Sequence, residues 1–124
     1  MEKIIIKNLE IFAYHGVNPE EKQNGQRFLL DLTLWADLSQ ARQSDRLEDT
    51  VNYATVRKTV QRAFTSESFD LIERAGHVAC AAVLAEHPKV CRVELLLKKP
   101  EAPMNAVFDY AAVELFAERG AQPC

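Results

Sequence analysis

Glu73 is an isolated acid near the start of an apolar segment, Phe69 to Glu86, that has the spacing of an amphipathic helix. A carboxylate at a helix start can accept two parallel hydrogen bonds from a planar pair of ligand donors, such as the ring N–H and amino group of an amino-pyrimidinone. Asp70 and Glu73 also have the spacing of a capping box, which is a purely structural alternative. The remaining apolar residues form one stripe, from which Glu73 is displaced: Leu71, Ile72, Ala75, Val78, Ala79, Ala82 and Val83.

Lys99 has a side chain and a position that fit proton transfer. It precedes Pro100, and a residue before proline favours an extended backbone, so Lys99 should project from the end of a strand. Its neighbour Lys98 should point to the opposite face. A solvated lysine pair at a strand end is the alternative interpretation, and the spacing to Pro100 favours Lys99 over Lys98 as the functional lysine.

Tyr53 and Glu21 also carry groups used in acid–base chemistry, and each has an ordinary structural alternative. Tyr53 begins a predicted helix, and its spacing with Val56 and Val60 also fits a core anchor. Glu21 lies in a predicted polar loop, where it could be a solvated turn acid, and Glu20 is directly beside it.

No protein metal site is predicted. The three histidines show neither H-x-H nor HExxH spacing: His15, His77 and His87. The three cysteines are odd in number, widely spaced and without a CxxC pair: Cys80, Cys91 and Cys124. This pattern predicts neither a disulfide framework nor a zinc knuckle and favours a reducing compartment.

Length and composition exclude several classes of function. With 124 residues and 48% hydrophobic content, the chain fits one domain over residues 1–124. The net charge of -3 and the absence of a basic stripe disfavour a nucleic acid or an anionic membrane as partner and favour a small molecule. No apolar run approaches membrane-spanning length, and no signal-peptide core is recognisable, so a cytoplasmic protein is expected.

The hydrophobic pattern predicts four strands. The second shows the cleanest alternation, and the first contains a bulge or bend near Asn8. Polar connections are predicted over residues 17–26 and 38–49. The predicted strands are Lys3–Tyr14, Arg27–Asp37, Val90–Lys99 and Val107–Ala117.

Two helices are predicted between the second and third strands. The first begins at Thr50 or Asn52 and ends before Ser66; the second runs from about Asp70 to before Pro88. This order predicts an α+β domain with a four-stranded antiparallel sheet and both long helices packed on one face. The sheet would have open edges, and Leu29 and Trp35 interrupt its polar face, so we expect a homo-oligomer.

Five segments, taken together and in order, resemble the dihydroneopterin aldolase family. They are YHGV near the start, Glu21 four residues before Gly25-Gln26, DTVNYATV around Tyr53, FDLIER around Glu73, and KKPEAP followed by FDYAAVEL. The match runs through nearly the whole chain, and five motifs at the right spacing are far more specific than any one of them.

The resemblance implies the tunnelling fold, with tetrameric rings that commonly stack into octamers and active sites between neighbouring subunits. Glu73 would hold the pterin ring N–H and 2-amino group, assisted by backbone groups near Leu71, Ile72 and Val17. Tyr53 would come from the adjacent chain, and Glu21 would complete the site.

The implied reaction is the retro-aldol cleavage of 7,8-dihydroneopterin into 6-hydroxymethyl-7,8-dihydropterin and glycolaldehyde, a step of folate synthesis. The C6=N5 imine of the substrate can serve as the electron sink, so no cofactor, Schiff-base lysine or zinc is required. Lys99 would be the general acid/base through an ordered water, Glu21 would position that water or the side-chain hydroxyls, and Tyr53 would handle the proton at the enamine carbon.

Two other functions fit the same residues. A dihydroneopterin triphosphate 2'-epimerase shares the first half-reaction, and 2'-epimerisation is also compatible as a side activity of an aldolase. A non-catalytic pterin-binding protein would keep Glu73 without the acid–base residues. Zinc-dependent pterin synthases are disfavoured, because they require a histidine cluster.

Overall fold

The computed structural model describes residues 1–120 and 124. Its strands and helices follow one another as β1 (Glu2–Ala13), α1 (Pro19–Asn24), β2 (Gln26–Ala36), α2 (Ser39–Ser44), α3 (Tyr53–Phe64), α4 (Ile72–Glu86), β3 (Arg92–Lys99) and β4 (Ala111–Glu118). One turn of 3-10 helix, Leu47–Asp49, lies between α2 and α3.

The four strands form one antiparallel sheet in the order β1-β2-β3-β4. Alternate residues of β2 and β3 point to the same face and are completely buried, among them Leu32 and Leu95. They form one apolar core with residues of the two long helices, including Val60 of α3 and Ala79 of α4. The predicted α+β architecture, with two long helices on one face of a four-stranded sheet, is confirmed.

The predicted irregularity near Asn8 is a β-bulge. The β1–β2 register shifts between Ile6 and Leu9, and Asn8 has a positive φ of 53°. The Asn8 N–H donates to Asp31 Oδ1 at 2.8 Å, and Lys98 Nζ donates to Asn8 Oδ1 at 2.7 Å. Lys98 also lies 3.0 Å from Asp31, so these three residues form a polar cluster on the sheet face opposite the helices.

The prediction of two purely polar connections was wrong in detail. Residues 17–26 contain α1, which begins with Pro19 at its first turn and is preceded by Asn18 as N-cap. Residues 38–49 contain α2 and the 3-10 turn. Helices of six residues are too short to show helical periodicity in a sequence, which explains why both were missed.

The final strand begins four residues later than predicted, at Ala111 rather than Val107. Val107 is fully exposed, and its segment lies in the irregular connection that follows Pro100.

The cysteine interpretation also needs a correction. Cys91 and Cys124 form a disulfide, which joins the residue before β3 to the last residue of the chain. Cys80 is free and buried, and burial raises the pKa of its thiol to about 12. The sequence separation of 33 residues gave no signal for this bond, because the contact depends on where β4 ends. Among the helices of residues 1–120, none has the length and hydropathy needed to cross a membrane.

Candidate active site

An ion pair between Lys99 and Glu21 lies at the centre of the candidate site. Lys99 Nζ is 2.6 Å from Glu21 Oε2, and only 12% and 9% of the two side chains are exposed. Lys99 is the last residue of β3, and Glu21 lies in the first turn of α1. Their neighbours lie elsewhere, since Glu20 is exposed and Lys98 pairs with Asp31. The ion pair thus joins the two residues that the sequence spacing favoured.

Three hydrogen-bond donors surround the Glu21 carboxylate. Besides Lys99, the Gln26 side-chain amide donates to Oε2 at 3.0 Å and the Asn18 N–H donates to Oε1 at 3.3 Å. Burial alone would raise the pKa of the Glu21 carboxyl, but these hydrogen bonds outweigh it and hold the pKa below its usual value. Glu21 is therefore a carboxylate at neutral pH.

The depressed pKa predicts how the stability of the protein depends on pH. The stabilisation from the carboxylate is fully present above the ordinary pKa of 4.5 and is lost as the pH falls through the lower folded-state value. We therefore expect wild type to be more stable than Glu21→Gln at neutral pH, with a difference that shrinks on acidification below 4.5. Urea unfolding of both proteins from about pH 7 to about pH 3 measures this difference.

The matched control for this experiment is Glu20→Gln, because Glu20 is the exposed neighbour of Glu21 on the same helix. The control should show only a small stability change over the same range. If the difference in unfolding free energy between wild type and Glu21→Gln stays constant across this pH range, the assignment of a charged, hydrogen-bonded Glu21 is contradicted.

Gly16 makes room for the Glu21 carboxylate. A Cβ at Gly16 would lie 2.2 Å from Glu21 Oε1, which is far inside van der Waals contact, and the φ of +146° is also one that side-chain-bearing residues rarely adopt. The glycine of the YHGV segment is thus required by both its backbone conformation and the proximity of the acid.

Glu73 is exposed in the first turn of α4 and does not form the capping box that was its structural alternative. The N-cap is Leu71 rather than Asp70, and no side chain caps this helix within the described residues. Asp70 instead lies 2.7 Å from Lys22 of α1 in an exposed ion pair. Glu73 is therefore exposed at a helix start, where the first backbone N–H groups have no partner within the helix.

The segment that carries Glu73 is attached to the segment that carries the ion pair. The Gly16 N–H donates to the Phe69 carbonyl at 2.9 Å, so the connection that follows β1 contacts the residue two positions before the α4 N-cap. Val17, which follows Gly16, is 65% exposed, and Leu71 is 54% exposed. Through Gly16, which adjoins the Glu21 carboxylate, and Phe69, the chain leading to the start of α4 is thus connected to the Lys99–Glu21 pair.

Tyr53 is not part of this arrangement within one chain. It is 63% exposed, so the core-anchor interpretation is wrong. Tyr53 begins α3, whereas Phe64, which contacts the site region, ends it, and the two positions are roughly 16 Å apart along the helix axis. Its side chain is exposed on the surface of the single chain.

Sequence reasoning missed Gln26 and His15 as members of the site. Gln26 is buried and binds Glu21 directly, and His15 is completely buried behind Gly16. Gln26 carried a signal that could have been used, because it occupies a core-facing position in the alternation of Phe28 and Leu30, where a polar side chain needs a specific partner. The described residues bring no three His, Cys, Asp or Glu side chains together in a group that could hold a metal ion.

The sequence of the chain matches a known protein family. A model of the family described as dihydroneopterin aldolase (FolB) matches residues 4–116. A dihydroneopterin aldolase of Methylorubrum extorquens is 37% identical over 118 residues, which cover 95% of this chain and 91% of the relative.

Two solved structures share the fold over nearly their whole length. A Vibrio cholerae protein assigned as dihydroneopterin aldolase is 28% identical with a TM-score of 0.88, and the alignment covers 96% of this chain and 98% of that one. The E. coli dihydroneopterin aldolase in complex with neopterin is 26% identical with a TM-score of 0.82, and the alignment covers 94% and 99% of the two chains.

Proposed function

Because this chain belongs to the dihydroneopterin aldolase family, we propose that its 124 residues form one domain that cleaves 7,8-dihydroneopterin into 6-hydroxymethyl-7,8-dihydropterin and glycolaldehyde. The fold is the tunnelling fold of this family. The observation that carries the proposal is the buried Lys99–Glu21 pair, attached through Gly16 and Phe69 to the helix start that presents Glu73. The connected segments thus supply Lys99 as the group proposed for proton transfer and Glu73 as the group proposed for pterin binding.

Recognition of the pterin is assigned to the start of α4. The Glu73 carboxylate accepts from the ring N–H and the 2-amino group, and these charge-assisted bonds fix the ring in one orientation. Backbone groups of Leu71, Ile72 and Val17 bind the remaining polar edge of the ring. In this orientation the hydroxylated side chain of the substrate extends towards Glu21 and Lys99.

The bond between the 1' and 2' carbons of the substrate side chain breaks when the 2'-hydroxyl loses its proton. The electron pair of the bond moves into the C6=N5 imine, which becomes an enamine, and the 2' carbon leaves as the aldehyde carbon of glycolaldehyde. Lys99 exchanges this proton through an ordered water, and Glu21 positions that water or the side-chain hydroxyls. A proton delivered to the enamine carbon, with Tyr53 as donor, completes the hydroxymethyl product.

Neither a Schiff-base lysine nor a metal ion takes part in this proposed mechanism, because the substrate supplies its own electron sink. Borohydride added during turnover should therefore leave the mass of the chain unchanged, and prior treatment with a chelator should leave kcat unchanged. A reduced covalent adduct on a lysine would contradict the mechanism.

A product assay tests the activity itself. Purified protein incubated with 7,8-dihydroneopterin should form 6-hydroxymethyl-7,8-dihydropterin and glycolaldehyde in equal amounts. Formation of the 2' epimer alone would favour the epimerase alternative, and binding without any conversion would favour a non-catalytic pterin-binding protein. Both products together with some epimer would show the side activity.

We also propose a homo-oligomer, a tetrameric ring that stacks into an octamer, with each site formed between two chains. The outer strands β1 and β4 each have one edge that pairs with no other described strand. A second copy of the chain could cover such edges and use the exposed Tyr53 in its own site. Light scattering should give a mass four or eight times that of one chain.

A mixed-oligomer experiment tests whether the sites are shared. Lys99→Ala and Tyr53→Phe are each expected to have low kcat, but co-expression should restore activity, because about a quarter of the sites then contain both wild-type residues. If Lys99 and Tyr53 acted within one chain, no site would be intact. Absence of recovery in verified mixed oligomers would therefore contradict the shared site.

We also propose that the protein is cytoplasmic, as the sequence led us to expect, and cell fractionation tests this location. A thiol count on the protein isolated under alkylating conditions would show whether the Cys91–Cys124 disulfide forms in the same compartment.

A further inference from the structure

We propose that His15 is a positioning residue that sets the pterin-binding segment, Phe69 to Glu73, through the neutral imidazole tautomer with its proton on Nε2. This inference rests on the proposed function, because it concerns how the same site holds a pterin. It assigns a role to a buried residue that the mechanism above does not use.

The hydrogen bonds of His15 specify its tautomer. Nε2 lies 2.8 Å from the Phe64 carbonyl oxygen, which can only accept, so Nε2 must carry the proton. The Phe69 N–H donates to Nδ1 at 3.0 Å, so Nδ1 must be free of a proton. Only the neutral ring with its proton on Nε2 satisfies both contacts.

His15 joins the two ends of the connection between α3 and α4. Phe64 is the last residue of α3, and Phe69 lies two positions before Leu71, the N-cap of α4. The Phe69 peptide groups are held from both sides, since His15 accepts from its N–H and the Gly16 N–H donates to its carbonyl at 2.9 Å. The backbone leading to Glu73 is therefore held by a single dipeptide, His15-Gly16, which follows β1.

The environment of the ring prevents water from replacing these bonds. His15 is 0% exposed and is enclosed by three aromatic rings, with centroid distances of 4.6 Å to Phe64, 5.4 Å to Phe69 and 5.5 Å to Phe28. Burial also holds the pKa of His15 below its usual value, against the opposing effect of the Phe64 hydrogen bond. A buried N–H without a partner is costly, so losing the Nδ1 acceptor should move the Phe69 peptide.

The same dipeptide contacts the acid–base pair. Gln26 Nε2 donates to the His15 carbonyl at 3.5 Å as well as to Glu21 Oε2 at 3.0 Å, and the Glu21 carboxylate packs on Gly16. His15-Gly16 therefore lies between the segment that would hold the pterin ring and the Lys99–Glu21 pair that would transfer the proton. This placement is the reason to expect an effect on substrate binding and not on folding alone.

Two variants separate the two nitrogens of the ring. In His15→Asn the amide oxygen can take the place of Nδ1 as acceptor for the Phe69 N–H, but the shorter side chain does not reach Phe64. In His15→Gln the longer amide can donate to the Phe64 carbonyl and leaves no acceptor near the Phe69 N–H. Both variants should lose stability to a similar extent in urea unfolding, because each breaks one buried hydrogen bond.

The two variants should differ in pterin binding. We expect His15→Asn to keep the Kd for neopterin and the KM for 7,8-dihydroneopterin within about threefold of wild type, and His15→Gln to raise both by about tenfold or more. Equal losses of neopterin affinity in the two variants, or losses that follow stability, would overturn the role of His15. A wild-type protein that binds neopterin and does not cleave 7,8-dihydroneopterin would overturn the proposed activity alone.

Discussion

Replacing Lys99 with alanine is expected to lower kcat by about 100-fold or more, while the Kd for neopterin changes by less than about threefold. The variant removes the group that exchanges the proton of the 2'-hydroxyl and leaves Glu73 and the α4 start in place. It also leaves the Glu21 carboxylate buried without its cationic partner, so the protein should be less stable. Steady-state kinetics and neopterin titration measure the two effects separately.

Lys98→Ala is the matched control for this variant. Lys98 is the preceding residue on the same strand, is equally buried and is also ion-paired, but with Asp31 on the opposite face of the sheet. It should lose stability and keep kcat within a few-fold of wild type. If Lys99→Ala folds and retains full turnover, or if Lys98→Ala loses turnover instead, the assignment of the acid–base residue is wrong.

Replacing Glu73 with glutamine is expected to weaken neopterin binding by about 100-fold. The substitution keeps the shape of the side chain but replaces a carboxylate that accepts two charge-assisted hydrogen bonds, each worth about 1.5–3 kcal/mol, by an amide whose NH2 opposes the ligand donors. Stability should hardly change, because Glu73 is exposed and makes no capping hydrogen bond. Isothermal titration with neopterin and urea unfolding test both parts of the expectation.

Glu67→Gln provides the control, since Glu67 is an exposed acid in the connection just before α4. The charge change is the same, and neopterin affinity should remain near the wild-type value. A Glu73→Gln protein that binds neopterin as tightly as wild type would remove Glu73 from the recognition site and would restore a purely structural interpretation of the FDLIER segment.

The fold followed from the sequence wherever one hydrophobic period was sustained. Strand β2 and helices α3 and α4 bury one face over ten or more residues, so their hydrophobic spacing distinguished strand from helix. The irregular alternation around Asn8 located the bulge. The missed helices α1 and α2 have six residues each, fewer than two turns, so they leave no periodic signal.

The site was only partly predictable because its geometry depends on contacts between distant segments. The spacing of Glu21 and Lys99 selected the right neighbours, but their 2.6 Å contact depends on the packing of α1 at the end of β3. Likewise, the Phe69 peptide, two positions before the α4 N-cap Leu71, is hydrogen-bonded to the distant residues His15 and Gly16. Tyr53 fitted a core position by spacing, yet its exposure is set by the orientation of the first turn of α3.

A crystal structure of the protein with bound neopterin would test the central claim most directly. We expect the ring N–H and 2-amino group to lie within hydrogen-bond distance of Glu73, and the side-chain hydroxyls to lie beside Glu21 and Lys99. The phenol of Tyr53 from a neighbouring copy should approach the same ligand. A pterin bound away from Glu73, or one whose hydroxyls point away from the Lys99–Glu21 pair, would contradict the proposed site.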